Sequence, residues 1–230
     1  MLNPDPIPQA WLDHLDRIKT EMILLHEHRA IWREMRDALV EASPDDDVSP
    51  GHYAQLYGDR QVIAIRRLID RDDRTSSLLQ LVKRLADHPN LLTRERWLSF
   101  FSVGDDAEDE HWLRMAHQQF DASADPADPN RVDPAVMASF ANEMKTELSA
   151  VKTYVDKVVA HMDSCKYPPS VTWKQLDEAI DLLGAIFRRV YLLLTASSMM
   201  QLEPVIQSDW KRPFRAPLFP PIRPPAPSAS

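Results

Sequence analysis

Apolar residues recur every three or four positions along most of this chain, and nowhere do they alternate over a useful strand length. That spacing collects them on one side of a helix, and each helix must then bury its stripe against another. Trp11, Leu15, Ile18, Met22, Leu25, Trp32 and Leu39 predict a first helix over Gln9–Ala42, stopped by Pro44 and the acidic run Asp45, Asp46 and Asp47. Val62, Ile65, Leu68 and Ile69 predict a second over 52–70. Thr75, Ser76 and Ser77 offer capping oxygens to a third over Leu78–Asp87. A short element around Trp97 opens at Thr93 and closes near Gly104, and a charged, weakly amphipathic helix follows over 108–120. Residues 121–130, rich in aspartate, alanine and proline, read as a flexible loop. Asp133 and Pro134 then cap and start a long helix carrying Met137, Phe140, Met144, Leu148, Val151, Val155, Val158 and Met162. A last long helix opens at Thr172 and carries Leu176, Ile180, Leu183, Phe187, Val190 and Leu194.

The expectation is an all-α bundle of about four long helices with additional short helices. It is read as a single helical domain over 1–219, with an acidic helix-loop insertion around 103–133 and a disordered, proline-rich C-terminal tail over 220–230.

Composition closes several functional classes. The four glycines, Gly51, Gly58, Gly104 and Gly184, stand too far apart for a phosphate-cradling loop or a dinucleotide turn. One cysteine, Cys165, excludes an internal disulfide and a cysteine-rich zinc site, and it lacks the positioned base that a nucleophile needs. His26 and His28 point apart on a helix, and His111 and His117 are not one turn apart, so no metal and no cofactor are expected. Trp11, Trp32, Trp97, Trp112 and Trp173 read as core or rim aromatics. The first residues show neither the basic nor the apolar region of a signal peptide, and the longest apolar stretch, 190–194, is far too short to span a bilayer. A cytoplasmic protein without membrane contact is the expectation.

The net charge of -8 is unevenly placed. Between Val103 and Asp133 nine acidic residues face only Arg114 and Arg131, so this segment carries -7 of the total. The remaining chain is close to neutral and has room for a local basic surface. Lys211, Arg212, Arg215 and Arg223 make the last twenty residues basic. Charge alone neither supports nor excludes RNA.

One stretch has chemical character. Tyr154, Val155, Asp156, Lys157, Val158, Val159, Ala160 and His161 lie near the end of the long helix, before Pro168 and Pro169 forbid its continuation. A histidine in a last helical turn sits beside the negative end of the dipole, which favours its protonated form. Projected at about 100° per residue, Tyr154, Lys157 and Glu147 share the flank of His161, while Asp156 and Asp163 fall on the opposite flank. The plain reading has His161 packing at the core rim and capping terminal carbonyls. Arg66 lies at the edge of its own apolar face in a row with Asp59 and Asp70, where a local ion pair is the plain reading.

The run from Asp156 to His161 resembles the DKxxAH signature of the AbiU-like, abortive-infection branch of the HEPN superfamily. The segments 61–70, 176–181, 191–194 and 207–217 are similar, in order, to the family's second helix, last helix and aspartate-tryptophan terminus. The resemblance implies a bundle of phage-defence or toxin-antitoxin systems that forms a homodimer and brings two histidine motifs together. It further implies a metal-independent ribonuclease in which a ribose 2′-hydroxyl attacks the neighbouring phosphodiester. His161 would move the proton, with Lys157 and Asp156 as its catalytic companions and Arg66, Tyr154 and Asp163 in support. RNA, and a defence-system partner or antitoxin, are the implied ligands. The usual motif of catalytic members places an arginine before the histidine with four to six residues between; here Asp156, Val155 and Tyr154 hold those places. The alternative is a non-catalytic bundle of the same family that binds a partner protein or RNA.

Overall fold

The computed structural model describes residues 6–42, 48–101, 107–160, 170–205 and 209. His161, Asp163, Cys165 and the proline-rich tail lie outside them. The elements run α1 Gln9–Ala42, α2 Val48–Leu68, α3 Leu78–Asp87, a 3-10 turn Pro89–Leu91, α4 Arg94–Ser99 and α5 Ala107–Asp121. A two-stranded antiparallel ribbon follows, β1 Ala124–Asp125 and β2 Asp128–Val132, and then α6 Pro134–Glu147, α7 Ser149–Tyr154 and α8 Trp173–Thr195. Among the described residues no helix is long and apolar enough to cross a membrane.

The bundle assembles because each stripe finds a partner. α1 packs on α2, α3 and α8, and α3 packs along α6. Met22 and Leu25 of α1, Ala64 and Ile65 of α2, Leu78 and Val82 of α3, Met144 of α6 and Ile180 of α8 are sealed from solvent. Each large side chain buried this way contributes roughly 1.5–3 kcal/mol. Residues around the ribbon join the same core through Ala116, Phe120 and Val132, and Trp97 Nε1 donates to the Ala116 carbonyl at 2.8 Å.

Caps set the helix starts. Ser77 Oγ accepts from Gln80 N at 3.1 Å while donating to the Asp70 carbonyl at 2.7 Å, which ties the exit of α2 to the entry of α3. Thr172 and Gln175 form a reciprocal capping box at the head of α8. Thr93 caps α4 and Asp133 caps α6 as their sequences predict.

The structure corrects four expectations. Residues 121–130 are not simply a loop, because 124–132 form the ribbon. Non-local bonds hold it: Val132 N donates to Leu92 O at 2.9 Å and Asp133 N to Ser123 O at 2.9 Å, and Arg131 pairs with Asp125 at 3.0 Å. Helix α2 starts at Val48, four residues before His52, and stops at Leu68. The single long helix expected from Pro134 onward is interrupted at Leu148, whose φ of -95° and ψ of 9° leave the α region. Beyond Tyr154 it widens into a π turn, Val155–Val159, closed by Ala160 N donating to Val155 O at 2.8 Å. The apolar stripe accordingly continues through Val159, which packs on the core where the α projection put Val158.

A polar seam crosses the interior. His26 and Arg29 of α1 are buried, with Arg29 Nη1 reaching Asp181 Oδ1 at 2.7 Å and Arg29 Nη2 donating to His26 Nδ1 at 3.2 Å. The ring proton therefore sits on Nε2, which faces Gly184 so closely that a Cβ there would stand 2.9 Å away. Burial first and the Arg29 charge second push the His26 pKa down to about 4. Between the unfolded value and that one, the unfolded chain binds a proton that the folded chain refuses. Stability is thus complete above about pH 6.5 and is lost as pH falls toward 4, by up to roughly 3 kcal/mol. Thermal melts followed by circular dichroism across this window should show the fall. His26→Gln, which keeps an acceptor for Arg29, should remove most of it; a variant with the full slope would acquit His26.

Candidate functional site

The motif region is held against α2 by apolar contact and then by charge. Val151 and Val155 are buried, and both α7 and the π turn pack on α2. This places Asp156 beside Arg66, whose Nε donates to Asp156 Oδ1 at 2.8 Å across 90 residues of sequence. Arg66 Nη1 also lies 3.4 Å from Asp70 Oδ1, four residues on and just past the end of α2. On the other side, Lys152 donates to Asp156 Oδ2, four residues ahead on α7. The local Arg66–Asp70 pair and the long-range link to the motif thus coexist in one chain of charges: Asp70, Arg66, Asp156, Lys152.

Electrostatics fixes the state of the central carboxylate. Burial pushes the Asp156 pKa up, but the hydrogen bonds from Lys152 and Arg66 outweigh it and hold the carboxyl below its usual range. Arg66 is correspondingly held charged, first by its bond to Asp156 and further by Asp70, against the effect of burial. A carboxylate engaged on both oxygens is a poor proton acceptor at neutral pH. Its chemistry is that of an anchor that orients a guanidinium.

The remaining sequence candidates divide. Lys157 lies on the π turn and is exposed. Tyr154 is half-buried and packs against the core. His161 and Asp163 fall outside the described residues. Lys152 was not singled out in the sequence, although its spacing of four from Asp156 is a legible helical pairing. Among the described residues no group of three or more His, Cys, Asp or Glu is placed to hold a metal ion.

A second cluster gathers at the far end of α2. Trp32, Tyr57 and Trp173 stack in near-parallel planes with centroids 5.2 to 6.1 Å apart, and Trp173 is half exposed. Gly58 lies beneath Trp173, where a Cβ would stand 3.3 Å from the ring. Trp32 is a core aromatic as expected, whereas Trp112 is exposed.

The Arg66–Asp156 link can be measured directly. Both side chains are partly exposed, at 25% and 34%, so a double-mutant cycle with Arg66→Ala and Asp156→Ala should give a coupling of about 0.5–1 kcal/mol in chemical denaturation. Additive effects would mean that the two helices meet without this bond.

The residues from 8 to 212, which include every helix and strand described above, match the family model HEPN_AbiU2, described as AbiU2. No curated protein and no solved structure matches the chain. With the match spanning most of the sequence, the chain belongs to the AbiU2 branch of the HEPN superfamily, the branch of abortive-infection phage defence.

Proposed function

We propose that this chain is a metal-independent endoribonuclease of abortive infection, acting through His161 with Arg66 and Lys157 as the cations at the scissile phosphate. The observation that carries this reading is the 2.8 Å bond from Arg66 to Asp156, which brings a guanidinium from α2 to a motif helix that has none of its own. Catalytic members of the superfamily carry their arginine on the motif helix; here the arginine comes from a neighbouring helix and is oriented by the motif aspartate. The ribose 2′-hydroxyl loses its proton to a base and attacks the adjacent phosphorus. The bond from phosphorus to the 5′-oxygen breaks, and that oxygen takes up a proton, leaving a 2′,3′-cyclic phosphate and a 5′-hydroxyl. Arg66 and Lys157 offset the charge that builds on the phosphoryl oxygens, and His161 moves the proton. Asp156 positions Arg66.

Incubation of the purified protein with labelled RNA tests this. Cleavage should be insensitive to a chelator and abolished by His161→Ala, with a thermal midpoint close to that of the parent. Arg66→Lys, which keeps charge but loses the fork, should slow cleavage by roughly 10²-fold. Lys157→Gln should weaken RNA binding, and Lys157→Arg should preserve cleavage. Cleavage that survives His161→Ala would overturn the assignment.

A second reading has its own support. Arg66 is engaged by two carboxylates, an arrangement equally suited to fixing a binding surface in a non-catalytic bundle that recognises a partner protein or RNA. Wild-type protein that binds RNA or a defence partner without cutting would favour it. Either reading gains from pairing two motifs across a two-fold axis, and we expect a homodimer. Analytical ultracentrifugation at micromolar concentration should give twice the chain mass, and a clean monomer would remove the shared site.

A further inference from the structure

A polar cleft of about 410 Å³ opens between α1 and the turn joining α2 to α3, lined by Arg17, Arg67, Asp70, Arg74, Thr75 and Ser76 among others. We propose that this cleft holds the phosphodiester backbone of single-stranded RNA next to the motif. The proposal deepens the ribonuclease reading and rests on it for the choice of RNA as ligand.

Three observations carry it. First, the cleft presents guanidinium groups to solvent: Arg67 is 66% exposed and Arg17 is exposed as well, while Arg74, 88% exposed, already rests its fork on Asp72 at 2.6 to 3.2 Å and reaches a phosphate only by sharing that fork. The carboxylates among them are already gripped. Glu21 receives two bonds of 3.1 Å from Arg60, so that Arg67 stands only at its margin, 3.5 Å away. Second, the cleft supplies hydroxyls beside the cations. Ser76 Oγ accepts from Arg17 Nη1 at 3.4 Å and so keeps its own hydrogen to donate. Forked arginines beside a hydroxyl donor suit the non-bridging oxygens of a phosphodiester. Third, the cleft is continuous with the motif. Asp70 lines it and also holds Arg66, the arginine that reaches Asp156. Arg66 and Arg67 are sequence neighbours, one turned to the motif and the other to the cleft. A ligand with phosphates repeated along a chain engages both places at once, whereas a single phosphate fills only one.

The cleft arginines are exposed, so replacing them should leave the thermal midpoint within about 1 °C, consistent with the small stability effects of surface substitutions. Binding of a short, labelled oligouridylate is measured in full-length His161→Ala protein, where no cleavage interferes. Arg17→Ala and Arg74→Ala should each weaken binding about 3- to 10-fold and lower the slope of log affinity against log salt by about 0.7 per lost contact. Arg114→Ala, a charge-matched change on α5 outside the cleft, should leave both unchanged. Unchanged binding in the cleft variants, or an equal loss with Arg114→Ala, would overturn the proposal. So would displacement of the oligonucleotide by equimolar inorganic phosphate or mononucleotide, which would mark a free-anion site, or by polyglutamate, which would mark an acidic-peptide surface. The two readings fail separately. Cleavage by wild type that persists at full rate in Arg17→Ala and Arg74→Ala sinks the cleft alone. RNA binding that depends on the cleft in a wild-type protein unable to cut sinks the catalytic reading alone.

Discussion

The bundle depends on burying α1. This helix of 34 residues meets α2, α3 and α8, so its stripe is the surface on which the other layers are registered. Apolar contact alone tolerates sliding, because one leucine is much like another one turn away. The polar groups inside remove that freedom. Gln61 Nε2 donates to the Leu25 carbonyl at 2.9 Å, and Arg29 reaches both His26 and Asp181, so α2 and α8 each have one satisfied register on α1. Because α2 is fixed in this way, the position of Arg66 along it is fixed too.

Much of the architecture was legible because its signals are local. The stripe periods, and the oxygens at Ser77, Thr93, Asp133 and Thr172, lie within a turn of the structure that they specify. The bounds of α1 and α3 follow from them directly. The ribbon was not legible, since its pairing is decided by Leu92 and Ser123 through backbone bonds that leave no mark on side-chain pattern. The break at Leu148 and the π turn belong to the same class. They alter the hydrogen-bond ladder while the residues keep a helical composition.

The site shows the same division more sharply. The pairing of Arg66 with Asp70 is a one-turn relation and was readable, and that of Lys152 with Asp156 was readable by the same rule. The bond from Arg66 to Asp156 spans 90 residues, and no spacing in a single chain announces it. Its effect is to change what the aspartate is for. Alone on a helix flank, Asp156 looks like a solvated charge. Between Arg66 and Lys152 it becomes a joint that ties α2 to the motif helix.

The π turn has a consequence of phase. Adding one residue to a helix advances everything after it by about 100°, without any change in the side chains that follow. Val155–Val159 makes such an addition just before the histidine of the motif. The way Ala160 faces is therefore set by a count of backbone units. Two relatives with the same letters in this motif, one with the wide turn and one without, would aim those letters at different neighbours.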